Sequence, residues 1–241
     1  SIDRFSERYI TPAAAQLAQQ VDSDLCGLYK HVWNWAGTAG QTINSFSDFA
    51  KAPEKLDLLA VPQADRMALL SPADHWGMLG SQTALYIQGA ASEAYRRGSL
   101  GMIAGIETDM SQSVATHTVG AHGGTPLTRG TSNTTTYAAS KDSNTMTLST
   151  DGWSTAVTLK AGDVFEITDV YAVNPRTKQS TGQLQQFTIV SDVLTNANAS
   201  NETQITISPA IITSGPYQNV NSAPANDKEI VYKGTASTGY K

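Results

Sequence analysis

The feature that most constrains the fold is a change of periodicity near residue 115. Before it, apolar residues recur at helical spacing; after it, they alternate as in strands. One repeating element cannot satisfy both patterns, so the sequence predicts an α+β protein with two unlike parts. The helical signal is strongest where Leu17, Val21, Leu25, Leu28 and Val32 follow one another at steps of four or three. Thr11-Pro12 supplies a cap followed by proline at a first-turn position, where the missing N–H costs nothing. This predicts a helix over 12–35, about 36 Å long at roughly 1.5 Å per residue. Gly37 and Gly40 then end it. Ile2, Phe5 and Tyr9 add a short amphipathic piece ahead of it.

Shorter elements follow. Residues 66–70 read as a buried strand, and Ser71-Pro72-Ala73-Asp74 opens a helix with a capping hydroxyl and an acid in the first turn. Ala90 to Arg97 reads as a short helix stopped by Gly98, and Gly101 to Met110 as a strand. Beyond residue 115, strands are predicted over 145–150, 156–159, 164–173, 184–193, 203–207 and 229–232. Gly and Asn/Asp clusters such as Asp151-Gly152 and Asn196 to Asn201 separate them. Such short, evenly spaced strands predict a small antiparallel barrel or sandwich. The polar stretch Thr116 to Ser140 reads as a linker or arm.

Charge narrows the function. Among the 241 residues, positions 1–110 carry 8 basic and 12 acidic groups, and positions 111–241 carry 8 and 9. Neither half is basic enough for a dedicated nucleic-acid-binding domain. No apolar run reaches the ~18 residues of a membrane helix. Cys26 is the single cysteine, which excludes an internal disulfide. No signal peptide is visible, and the start at Ser1 rather than Met leads us to expect an upstream part removed.

The candidate chemical groups each have a plainer explanation. His117 and His122 are five residues apart with no cysteine nearby, unlike the three or four convergent ligands of a zinc site. Cys26 and His31 do not face each other well on one helix, so packing is expected for Cys26. Gly98-Ser99-Leu100-Gly101 lacks the surroundings of a phosphate loop. Asp163, Glu166 and Asp169 could form a hydrolytic carboxylate pair, but strand alternation puts 166 on the opposite side from 163 and 169. Trp33 and Trp35, with Tyr29, suit core or interface packing better than a stacking platform. Sequons at Asn133, Asn198 and Asn201 are expected by chance in so Asn- and Thr-rich a segment. No catalytic, cofactor-binding or metal-binding residue is expected.

The order of several stretches carries a resemblance. SIDRFSERYITPAAAQLAQQVDSDL, LYKHVWNWAGTAG and YRRGSLGMIAGIETDMSQSVATHTVG resemble tailed-phage coat proteins of the P22 type. TLKAGDVFEITDVYAVNPRTKQSTGQLQQFTIVSD, followed by ITISPAI, is similar to the extra β-barrel domain of that group.

The resemblance implies a Hong Kong 97-type capsid core over 1–115. Its long spine helix would span about 12–35 and part of its axial domain about 66–110. An antiparallel barrel would be inserted over 116–234, and 235–241 would be a return linker. It implies a major capsid protein of a phage or prophage, located in the virion and assembled in the host cytoplasm. The implied partners are copies of itself, a scaffolding protein, a portal and, at most weakly, DNA, with no membrane and no enzymatic role. Mild acidity suits a wall facing packaged DNA, which a basic surface would bind tightly. Gly37–Gly40, Thr116–Arg129 and Gly234–Gly239 are expected to flex between environments. Family members extend on both sides of the region matched here, so a fragment unable to close shells is expected. The alternatives are an adhesin or carbohydrate-binding module, and a hydrolase using acids around 163–169.

Overall fold

Where apolar and polar residues alternate, the chain builds one long-stranded sheet. This computed structural model describes residues 2–83, 96–195 and 202–241. Six strands run in the order β12-β8-β9-β11-β6-β5. These are β5 (Gly124–Thr128), β6 (Met146–Trp153), β8 (Val164–Val173), β9 (Ser180–Ile189), β11 (Thr203–Ser208) and β12 (Ile230–Tyr232). All the pairings are antiparallel. The edge strands nearly close into a barrel: Leu127 bridges Glu229, and Thr128 exchanges backbone hydrogen bonds with Asp227 and Lys228, each 2.8 Å. Inward-facing Leu148, Phe165, Ile167, Phe187, Ile205 and Ile207 are completely buried and fill the interior. That dry, close-packed interior is the main source of the barrel's stability.

The smaller part is an α/β layer. β1 (Met67–Leu70) runs parallel to β3 (Ile106–Met110), which pairs antiparallel with β2 (Met102–Ile103). One face of this sheet packs on helices α3 (Phe46–Leu58) and α4 (Pro72–Thr83) through Phe49, Leu70, Met78, Leu79, Ile103 and Ile106. Both helices begin on a serine. Ser45 Oγ accepts the Asp48 amide at 3.2 Å, and Ser71 Oγ accepts the Asp74 amide at 3.3 Å. These caps satisfy donors that a first helical turn leaves unpaired. Asp74 also accepts the Ile43 amide at 2.9 Å, fixing the chain that leads into α3.

The front of the chain is a continuous helical rod. α1 (Ile2–Phe5) passes through a wider turn at Ser6–Ile10 into α2 (Thr11–Cys26), and a tight 3-10 turn, Gly27–His31, finishes it. The helix predicted over 12–35 thus stops at Cys26. By Val32 the backbone is extended, because the chain turns there to run along the barrel. The apolar spacing continued past this break and concealed it.

Other expectations shift for local reasons. The strand predicted over 101–110 is a hairpin, since Ala104 and Gly105 both take positive φ (50° and 76°) and reverse the chain. The strand at 66–70 is buried only at Leu70, because Met67 and Leu69 lie on the sheet's open face. The strand predicted over 184–193 is displaced to Ser180–Ile189, with a separate short strand β10 (Val193–Leu194) pairing with β7 (Thr158–Leu159). Thr116 to Ser140 is no free linker: it holds β4 (His117–Thr118), the barrel strand β5 and a helical turn, α5 (Tyr137–Ser140). β4 pairs antiparallel with β13 (Gly239–Tyr240). Most of the helix predicted over 90–97 lies outside the described residues, as does the turn cluster at 196–201.

Candidate functional site

The elements converge where the rod meets the barrel, and polar side chains make that junction. The 3-10 turn presents Tyr29 to His117 on β4, with the phenol oxygen 2.8 Å from Nδ1. His117 Nε2 in turn lies 2.9 Å from Asp163 Oδ1, just before β8. Burial, and secondarily the Asp163 charge, push the Tyr29 phenol above its ordinary range. With the phenol donating to Nδ1, Nε2–H donates to the carboxylate, a proton arrangement that satisfies all three groups. Asp163 is fully buried as a side chain, and its oxygens also accept the amides of Gly120 and Lys160. A buried carboxylate needs such a set of donors.

Two glycines make the approach possible. A Cβ on Gly120 would sit 2.7 Å from Asp163 Oδ2 and from the Thr158 carbonyl. A Cβ on Gly162 would sit 2.8 Å from Lys30 Cβ, and Gly162 also holds φ +97°.

Beyond the relay, the extended segment after His31 is tied down by side chains of the barrel. Thr188 Oγ donates to the Lys30 carbonyl at 3.2 Å, and the Trp35 amide donates to Gln186 Oε1 at 2.7 Å. Gln186 Nε2 then donates to Glu166, which pairs with Lys233 at 3.0 Å. Lys55 of α3 lies close by, and burial lowers its ammonium pKa despite the attraction of Glu166. Asn174 Nδ2 donates to the Leu58 carbonyl at 3.0 Å, a second link from barrel to α3. The Tyr240 ring is held between Gly40 and Gly234, whose added Cβ atoms would lie 3.1 and 2.7 Å from it. Thus the strands leading into and out of the barrel both touch the segment 27–44. The cleft beneath this segment, about 350 Å³, is lined by residues including Trp35, Phe49, Leu70, His117 and Tyr240.

The structure separates the groups that could have suggested chemistry. His122 stacks on Tyr232 at 4.1 Å and shares no ligand position with His117. No group of three or more potential metal ligands occurs among the described residues. Asp163 serves the relay, Glu166 pairs with Lys233, and Asp169 pairs with Lys228 at 2.5 Å on the surface. Cys26 is half-buried and His31 exposed. Gly98 supplies its carbonyl to His75 Nε2 at 2.9 Å. Asn133 is buried, its amide donating to Arg129 and its oxygen accepting from Ser149, so it offers no acceptor for a glycan. Asn198 and Asn201 lie outside the described residues. No described helix is long and apolar enough to cross a membrane. The sequence showed His117 and Asp163 separately. Their union with Tyr29 is invisible there because the partners are 46 and 88 positions apart.

Part of the remaining surface is apolar. Leu17, Val21, Leu25, Leu28 and Val32 are each more than half exposed, and Met67, Leu69 and Met102 line the open face of the small sheet. Exposed apolar area on this scale suits contact with other protein surfaces.

No curated protein matches the chain. Among solved structures it is similar to the CUS-3 coat protein I-domain, at 26% identity and a TM-score of 0.26, over 48% of this chain and 96% of that one. The P22 coat protein family (gene protein 5) matches residues 3–239. The chain belongs to the P22 coat protein family and is a phage major capsid protein, a self-assembling component of the virion shell.

Proposed function

We propose that the helical rod and α/β layer, residues 1–115, are part of a Hong Kong 97-type capsid core, and that 116–234 form a barrel inserted into it. Residues 235–241 then lead back toward the core. The observation that carries this reading is the pairing of β4 with β13, which sets the chain's departure into the barrel beside its return. A segment that leaves and returns at one place is added to a host fold without rerouting it. On this reading the junction around Tyr29, His117 and Asp163 orients the barrel against the core, and the protein works by shape and surface rather than by catalysis. A scaffolding protein and a portal join it during assembly in the bacterial cytoplasm, and contact with the packaged DNA is weak and independent of sequence.

Negative-stain electron microscopy of the whole coat gene product, expressed with its neighbouring genes, tests this. Uniform icosahedral particles are expected, and deleting the scaffolding gene should leave aberrant ones. Uniform shells without any scaffolding gene would remove that partner from the proposal. Dispersed, soluble monomers under all conditions would turn attention to glycan binding by the barrel.

A further inference from the structure

We infer that residues 27–31 are a latched hinge: Tyr29, seated on His117, fixes the direction of α2 relative to the barrel. Among the described residues, little else holds the direction of the helix. Among them it buries none, and partway along it Ser111 Oγ donates to Asp22 at 3.3 Å. Its orientation is therefore set at its C-terminal end, by the Tyr29 phenol and by Thr188 holding the Lys30 carbonyl.

The barrel does not need the latch in return. The buried carboxylate of Asp163 is satisfied by His117, Gly120 and Lys160, all of which lie in the β region. Removing the Tyr29 hydroxyl leaves that set complete and frees one ring nitrogen, at the edge that the opened hinge would expose to water. Gly27, at the start of the turn, has no neighbour within 4 Å of an added Cβ, so the chain has room to rotate there. A tie made of two hydrogen bonds and little apolar area is of a size that neighbouring subunits can overcome. The hinge is a property of this chain and stands whether or not the insertion reading above holds.

Pulsed electron paramagnetic resonance tests it. Spin labels at Gln16 and Gln204, both exposed, would be placed in the 241-residue chain carrying Cys26→Ser. The parent is expected to give one narrow distance distribution. Tyr29→Phe should shift it to a broad one, while the thermal unfolding midpoint of the strand signal stays unchanged. If Tyr29→Phe does not fold, Thr188→Val carries the same test through the other tie. An unchanged distribution would overturn the latch. So would broadening accompanied by a lower barrel midpoint, since Tyr29 would then belong to the barrel's own cooperative unit.

Discussion

Gly120 donates its amide to both carboxylate oxygens of Asp163, at 3.1 and 3.2 Å. Only a residue without a side chain can come so close, and the same two oxygens also meet the Lys160 amide and His117 Nε2. The pair locks the turn after β4 to the turn before β8. It also explains why a single acid sits in this junction without a carboxylate partner.

Asp163→Asn keeps the shape but turns one acceptor into a donor, aimed at the amides of Gly120 and Lys160 or at His117. The expected loss is about 3 kcal/mol, the cost of buried groups left facing like groups. Chemical denaturation of the two proteins under the same conditions measures it. Equal midpoints would show that the carboxylate is not needed.

Two glycines with similar backbone angles should respond very differently. Gly152, at φ +73°, would place a Cβ 2.2 Å from the Thr125 carbonyl, across the pairing of β5 with β6. Gly130, at φ +78°, has nothing within 4 Å. Gly130→Ala should cost about 1 kcal/mol, the strain of a left-handed alanine alone. Gly152→Ala should cost more than about 3 kcal/mol, because backbone must move away from backbone. Thermal unfolding of both variants separates the two contributions.

Burial should decide the fate of the large apolar residues. Phe187→Ala opens a hole in the sealed barrel interior and should cost about 3–5 kcal/mol. Leu17→Ala, at a side chain 70% exposed on α2, should change the stability of the isolated chain by under about 0.5 kcal/mol. The same Leu17→Ala substitution should nonetheless reduce particle yield in co-expression, counted by electron microscopy, if the stripe is covered in the shell.

One surface carboxylate gives a pH signature. Lys160 and then the Ala161 amide hold the Asp192 carboxyl below its ordinary range. A lowered folded-state pKa means that its contribution is present above the unfolded value, near 3.8, and is lost as pH falls through the folded value. Asp192→Asn should therefore be less stable than the parent at neutral pH, and the difference should close below pH 3.8. Denaturation midpoints at several pH values test this, and a gap independent of pH would argue for packing instead.

Much of the barrel was legible because its strands obey a period of two under strong selection by burial. The alternation at Thr203–Ser208 and the wealth of β-branched and aromatic residues at Val164–Val173 allow almost no other reading. The helix overran its true end because Leu28 and Val32 kept step with Leu17 while local geometry changed at Gly27. The arm at 116–140 concealed a strand because β5 is a polar edge strand carrying a bulge, with no alternation to betray it. The relay was illegible for a different reason. Each member is an ordinary residue alone, and only the folded chain brings Asp163 within reach of His117. The stripe on α2 was recognised as apolar, but a pattern of spacing cannot say whether the surface that covers it belongs to the same chain.

The pairing of β4 with β13 has an engineering consequence. His117 stands opposite Tyr240 and Thr118 opposite Gly239, so the two backbones are about 5 Å apart, and on the proposed insertion reading this is where the intervening chain departs and rejoins. That gap is the width of an ordinary hairpin. A compact foreign domain whose own termini lie side by side could be spliced in at this doorway, or a two-residue turn could close it, with His117 and Tyr240 as the seam.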